Sequence, residues 1–182
     1  VTDIGTGTLT VMTQIAADTL GLPISEVKFS YADSKMPFAP IQGGSFTTAT
    51  VGSAVQAACE ALNRKLFKMA NTIAGSVFKN CRFKEMLFSN GGMFSRKDPN
   101  LKIALADIVR TNHGSPVKTT NAAMPNPVKY AKKTRAVHSA AFVEVEVEEE
   151  LGIVEGKRAL TAVAAGKIIN PKTAESQVLG GM

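Results

Sequence analysis

The sequence predicts an α+β fold, built from antiparallel β hairpins and two long helices, and three observations carry that prediction. Two segments, Thr8–Leu20 and Val51–Ile73, space their apolar residues three and four apart, the signature of a one-sided helix. Val143, Val145 and Val147 alternate with Glu144, Glu146 and Glu148, the signature of a strand with one apolar face. Strand and helix patterns do not alternate regularly, as a parallel sheet with crossover helices requires; the strands come in adjacent pairs instead. With 182 residues, 45% of them apolar and 20% charged, the chain can bury a core and does not have a disordered composition.

In chain order, Leu9, Met12, Ala16 and Leu20 form the stripe of the first helix, which Gly21 and Pro23 stop. Val27, Phe29 and Tyr31 alternate with Lys28 and Ser30 and predict a short strand. Residues 33–44 contain Pro37, Pro40, Gly43 and Gly44 and read as a loop. The second helix carries Val51, Val55, Ala58, Cys59, Leu62, Leu66, Met69 and Ile73 on one side and ends at Gly75. Residues 77–88 and 93–94 flank Ser89-Asn90-Gly91-Gly92, and Asn-Gly favours a tight hairpin turn. Asp98-Pro99 starts a predicted third helix carrying Leu101, Leu105, Ile108 and Val109. Residues 111–136 have no period and read as a long connection. The Val/Glu strand turns at Leu151-Gly152 and returns over residues 153–164, and Asn170-Pro171 precedes a last helix from Thr173 to Gln177. No repeat of 20–50 residues is present. These elements group as a Gly-rich helix and strand part (1–75), a hairpin, short helix and loop (76–136), and a final hairpin with its C-terminal motif (137–182).

Composition excludes several functions. No apolar run approaches ~20 residues, so no membrane span is expected. Cys59 and Cys81 lie too far apart for a metal knuckle and are too few for a disulfide scaffold, so both are expected reduced, in or near the core. The formal charge of +6 admits an anionic partner. Lys129, Lys132, Lys133 and Arg135 cluster around Tyr130, but no nucleic-acid-binding pattern accompanies them, so no nucleic-acid partner is expected. His113 and His138 lack the partners of a catalytic triad, and Glu148 to Glu150 read as a solvated strand end. The chain starts Val1-Thr2-Asp3-Ile4-Gly5, without Met or a visible signal peptide, and closes Leu179-Gly180-Gly181-Met182; it is expected to be a piece of something longer. The compartment stays open.

Two segments share one physical design. Gly5-Thr6-Gly7-Thr8 runs into the first helix, and Gly43-Gly44-Ser45-Phe46-Thr47-Thr48 runs into the second. A helix N-terminus offers unpaired N–H groups and a positive dipole end, and glycine lets a ligand approach the backbone. Thr6, Ser45 and Thr47 add hydroxyls. Neither segment contains Gly-Lys-Ser/Thr, and Gly5-x-Gly7 lacks the third glycine of the dinucleotide fingerprint. Either segment alone could be a simple helix cap; the pair points to one anionic ligand.

Asp3-Ile4-Gly5-Thr6-Gly7-Thr8, Gly43-Gly44-Ser45 with Val51-Gly52-Ser53-Ala54-Val55, and Asn170-Pro171-Lys172-Thr173-Ala174-Glu175-Ser176-Gln177 with Gly180-Gly181 follow one another here. In that order and spacing the chain resembles the molybdenum-cofactor-binding large subunit of the xanthine dehydrogenase and aldehyde oxidase family, from Val1 to Met182. Ala164-Ala165-Gly166-Lys167-Ile168-Ile169-Asn170-Pro171 looks most like bacterial aldehyde-oxidising members; many others carry an acidic residue and a cysteine at 164–165 and an arginine at 167.

The resemblance implies part of a larger molybdopterin-binding domain. It implies cofactor contacts from Thr6, Gly7, Gly43, Gly44, Ser45 and Thr47 to the pterin and its phosphate, and from Gln177 near the metal. Molybdenum is held by the pterin dithiolene, so no protein residue is expected as a metal ligand. The bacterial form of the cofactor implied is the cytosine dinucleotide, with iron–sulfur clusters and FAD on partner subunits or domains. The implied reaction hydroxylates an aldehyde or an N-heterocycle with oxygen from water. Its glutamate base belongs to a Gly-x-Gly-Glu motif that this sequence does not contain, so no catalytic residue is assigned in it. The alternative is a stand-alone anion- or nucleotide-binding α+β module without redox activity. As a fragment the chain is expected to be inactive and to self-associate through bare apolar helix faces.

Overall fold

A computed structural model describes residues 1–73, 75–124, 128, 131, 134 and 136–182. They fall into two compact units, residues 1–124 and 125–182. The α+β class of the sequence reading is what the chain adopts. The basic cluster around Tyr130 lies outside the described residues.

In the first unit, helix α1 spans Thr8–Leu20, with the bounds that its stripe and Gly21 predict. Helix α2 spans Thr47–Thr72, about 39 Å of helix. Strands β1 (Met86–Ser89), β2 (Gly92–Ser95) and β3 (Lys102–Ala104) form an antiparallel sheet in that order, and helix α3 (Leu105–Arg110) follows β3. Asn90 and Gly91 both take positive φ, 48° and 71°, the mirror-image turn whose twist matches a two-residue hairpin.

Three expectations are corrected. Residues 27–31 are extended but pair with no strand; Val27 closes a one-turn 3₁₀ segment, Ile24–Glu26, and the Phe29 and Tyr31 rings stack 6.3 Å apart on one side. The helix expected from Asp98-Pro99 begins only at Leu105. Asp98 instead folds a local turn, its carboxylate accepting the Asn100 N–H at 3.0 Å, and Lys102–Ala104 pair with β2. Pairing with a strand already in place outweighs the weak helical preference of so short a run. The first hairpin is also shorter than its apolar residues suggested, because Phe83–Glu85 form a 3₁₀ turn.

The core sits where the C-terminal half of α2 meets the sheet and α3. Leu66, Phe67 and Ala70 of α2 pack with Phe78, Met86, Met93, Leu105 and Ile108. Phe83 closes its rim, edge-on to Phe67 at 5.8 Å, with the Arg64 guanidinium 4.3 Å above its ring. Gly21, the left-handed C-cap of α1, touches the hairpin backbone directly. Its carbonyl accepts the Gly91 N–H at 2.8 Å, and the Gly91 carbonyl accepts the Leu105 N–H at 2.9 Å, so the turn tip ties α1 to α3.

The second unit holds a long hairpin, β4 (His138–Glu148) with β5 (Ile153–Ala164), and helix α4 (Pro171–Gly180). Paired residues share a face, and a bulge beside Lys157 keeps both faces distinct. One face carries Val143, Val145, Val147, Val154 and Val163, all exposed. The other, toward the turn, is laced with ion pairs from Lys157 to Glu146 and Glu155 and from Arg158 to Glu144. Asn170 caps α4 through its side chain and Pro171 opens it, so the helix is longer at both ends than the Thr173 to Gln177 expected.

Gly21 has φ +67°, and a Cβ there would lie 2.2 Å from the Phe88 carbonyl carbon. Gly114 has φ +77° with open space around it, so Gly114→Ala isolates the left-handed cost, about 1 kcal/mol. Gly21→Ala is expected to lose on the order of 4 kcal/mol, because backbone must move away from backbone. Urea denaturation of both variants checks this; equal losses would mean that the α1–hairpin contact is soft.

Candidate functional site

The two glycine-rich segments meet because α1 and α2 run in the same direction. Gly52, near the start of α2, lies against Met12 and Ile15 of α1. Further along, the Asn63 amide donates to the Thr19 carbonyl at 2.7 Å, near the end of α1. Both N-termini therefore lie at one end of the pair, about 28 Å along α2 from the core residue Leu66. Gly52 permits this contact: a Cβ there would come within 2.9 Å of the Ile15 Cδ1 atom.

Each N-terminus is left open by its sequence. The N-cap of α1 is Gly7, at φ 76°, and the N-cap of α2 is Phe46; neither receives a side-chain cap. The first backbone bonds, Val11 N–H to Gly7 and Thr50 N–H to Phe46, leave the amides of Thr8, Leu9 and Thr10 and of Thr47, Thr48 and Ala49 without helical partners. By contrast, the Asn170 side chain caps α4 by accepting the Thr173 N–H at 3.1 Å.

The backbone before each helix is shaped by positive φ at Gly5 and Gly7, and at Gly44 and Ser45. Ser45, at φ 56°, is not a glycine, so the turn holds it in a conformation that costs about 1 kcal/mol or more. A Cβ at Gly5 or Gly43 would meet nothing within 4 Å, so the backbone there can be approached closely. Gly43, Gly44 and Ser45 are exposed, while Thr6, Gly7 and Thr47 are half-buried. The Thr6 hydroxyl lies 3.3 Å from that of buried Thr8. Neither Lys nor Arg occurs from Val1 to Val27 or from Met36 to Asn63. The glycine-rich stretches themselves thus contribute N–H groups, hydroxyls and two helix dipoles, while Lys28 and Lys35 lie on the segment whose Ala32 N–H donates to the Val1 carbonyl. That donor set fits a ligand with several anionic oxygens, such as the phosphate of a pterin cofactor.

Six of the seven residues singled out in the sequence, Thr6, Gly7, Gly43, Gly44, Ser45 and Thr47, thus share one end of the first unit. Gln177 lies exposed on α4, in the second unit. The sequence reading passed over Thr2 and Gln42, whose side chains hydrogen-bond to each other, Thr2 Oγ1 donating to Gln42 Oε1, and bridge the two loops. No local pattern announces that bond, since its partners lie 40 residues apart. His113 and His138 are exposed, and among the described residues no group of three His, Cys, Asp or Glu side chains could hold a metal. No described helix is long and apolar enough to cross a membrane.

An open pair of helix N-termini on an α+β scaffold is an arrangement whose backbone N–H groups can take up an anion. Comparison with known proteins gives the family. The family model of the molybdopterin cofactor-binding domain matches residues 1–182, and the chain belongs to that family. The chain is 36% identical over 181 residues to the aldehyde oxidoreductase molybdenum-binding subunit PaoC of Escherichia coli, covering all of this chain and 22% of that protein. It is 27% identical over 183 residues to the putative xanthine dehydrogenase molybdenum-binding subunit XdhA of the same organism, covering 24% of it. The chain thus spans less than a quarter of the length of these curated relatives. Its fold matches that of the Cu,Mo-CO dehydrogenase, with a TM-score of 0.79 at 20% identity over 99% of this chain and 22% of that one. It also matches the quinoline 2-oxidoreductase of Pseudomonas putida 86, with a TM-score of 0.77 at 16% identity over 100% of this chain and 23% of that one.

Neither cysteine lies at the glycine-rich end. Both are free and half-buried, and burial pushes the Cys59 thiol above its usual range. The thiolate is the reactive form, so Cys59 is expected to alkylate several-fold more slowly than a free thiol at neutral pH and to recover speed as pH rises. Iodoacetamide labelling read by peptide mass spectrometry checks this; labelling at the rate of free cysteine would contradict it.

Proposed function

We propose that this chain forms part of the catalytic large subunit of a molybdenum hydroxylase and supplies one wall of its cofactor site. The observation that carries the proposal is the pair of open helix N-termini held side by side by α1 and α2, in a chain matched along its whole length by a molybdopterin-binding family. The backbone N–H groups of both first turns and the hydroxyls of Thr6, Ser45 and Thr47 would hold the pterin and its phosphate. Gly7, Gly43 and Gly44 keep that backbone uncovered, and Gln177 contributes its side-chain amide from the second unit. When bound, the molybdenum–pterin group supplies two-electron oxidation with oxygen drawn from water. The residues of this chain bind and orient that group. The proton-abstracting base lies elsewhere in the subunit.

The substrate class favoured is an aldehyde, with an N-heterocycle as the second choice. Ala164, Ala165 and Lys167 support this order, as does the higher identity to an aldehyde oxidoreductase subunit than to the xanthine dehydrogenase subunit. The cofactor form proposed is the cytosine dinucleotide, whose second phosphate gives a second anion for two N-termini to share. Iron–sulfur and FAD groups on partner subunits or domains would carry the electrons away. The alternative, a stand-alone anion-binding module, explains the two loops equally well but gives no reason for a family match that extends through Met182.

In the full-length protein, Gly44→Val forces a β-branched residue into φ +57° and is expected to abolish cofactor loading. Gln177→Ala removes one or two hydrogen bonds, about 1–3 kcal/mol, so loading should fall only in part. Molybdenum per folded chain decides; full loading of Gly44→Val would remove this loop from the site. The 182-residue chain alone leaves the valine face of β4–β5 bare, with Val143 64% and Val154 65% exposed. It is expected to self-associate reversibly in light scattering as concentration rises, and Val145→Lys is expected to shift it toward monomer. A monomer at every concentration would contradict this.

A further inference from the structure

Gln42 stands immediately before Gly43, and its side chain reaches from the second glycine-rich loop to the first. The Thr2 hydroxyl donates to its Oε1 atom. Thr2 is itself held in a folded segment, in which the Asp3 carboxylate accepts the Gly5 N–H at 3.0 Å and the Val1 carbonyl accepts the Ala32 N–H at 3.1 Å. Both loops are thereby joined ahead of their helices. A carboxamide has one acceptor end and one donor end. With the oxygen committed to Thr2, the two N–H groups of Gln42 are left over, and no described residue accepts them. The residue is half-buried, so its rotamer freedom is already reduced.

The local charge makes these donors matter. Residues 1–27 and 36–63 carry no Lys or Arg, so neutral N–H groups are what these two stretches themselves offer an anion. A donor to a charged oxygen is worth more than one to a neutral oxygen, and a donor fixed in advance loses less entropy on binding. We infer that Gln42 is a cofactor-positioning residue: its carbonyl end latches the two glycine-rich loops together through Thr2, and its amide N–H groups donate to the anionic part of the ligand. This rests on the cofactor-site reading above and adds to it a specific residue and a specific atom.

Three variants of the full-length protein test the inference, alongside Gly44→Val. Gln42→Glu keeps an acceptor for Thr2 but removes the N–H donors and places a negative charge at the site. Its loading is expected to fall about tenfold or more. Gln42→Met keeps the size and loses both ends of the amide, and is expected to fall about as far. Thr2→Val breaks the latch and leaves the amide, so loading should drop by a smaller factor, with faster loss of cofactor on dilution. Readouts are molybdenum and oxidised-pterin fluorescence per folded chain, and the melting temperature of the apoprotein, which is expected to stay within about 2 °C. If Gln42→Glu and Gln42→Met load like the parent while Gly44→Val does not, the role given to Gln42 is overturned and the cofactor-site reading stands. If Gly44→Val loads fully as well, that reading fails. Should the Gln42 variants lose loading only because the apoprotein melts many degrees lower, Gln42 is a structural residue and the inference is overturned.

Discussion

The same-direction packing of α1 against α2 is the constraint on which the rest of the first unit depends. Helices joined by a short loop pack antiparallel; these two are joined by residues 21–46, a connection long enough to return the chain to the start of α1. That return is what sets two glycine-rich helix starts beside each other. Gly52 permits the close approach at one end of the contact, and the Asn63 bond to the Thr19 carbonyl fixes the other. Without the parallel arrangement each N-terminus would be a separate, weak anion site. With it, two dipoles and two sets of free amides lie at the same end of the helix pair, which raises the positive potential there.

Much of this was legible in the sequence, and the reason is local. The stripe of α1 and the stop at Gly21 set its bounds, and Asn90-Gly91 set the first turn, because each signal lies within a few residues of the structure that it specifies. The Val/Glu alternation announced β4 for the same reason. Where the outcome depended on distant partners, the sequence misled. Residues 27–31 have strand chemistry and no strand beside them. Leu101 belongs to the helical spacing of Leu105 and Ile108, yet it leads into β3 because β2 offers a free edge. The candidate site divides along the same line. Thr6, Gly7, Gly43, Gly44, Ser45 and Thr47 were visible because glycine before a helix is a local signal. Thr2 and Gln42 were not, because their bond closes across 40 residues.

The β4–β5 hairpin shows how far one element can be read and where its meaning stops. Two strands with a bare valine face do not form a stable sheet in water; three strands or a covering layer are the usual minimum. The ion pairs of Lys157 and Arg158 are confined to the other face, which also exposes Phe142 and Leu160. Chain of the same family is more than four times as long in the relatives compared, which is consistent with a hairpin that is one part of a larger layer.

The boundary between core and loops has a consequence for how such a protein opens. Leu66, Phe67, Met93 and Ile108 cluster toward the far end of α2, and Thr8, Met12 and Val51 are buried in α1 and α2 close to the glycine-rich segments. The helices are thus buried almost to their first turns, whereas Gly5, Gly43, Gly44 and Ser45 ahead of them are exposed. Local opening of these loops uncovers little apolar surface, so it costs far less than opening the helices that they precede.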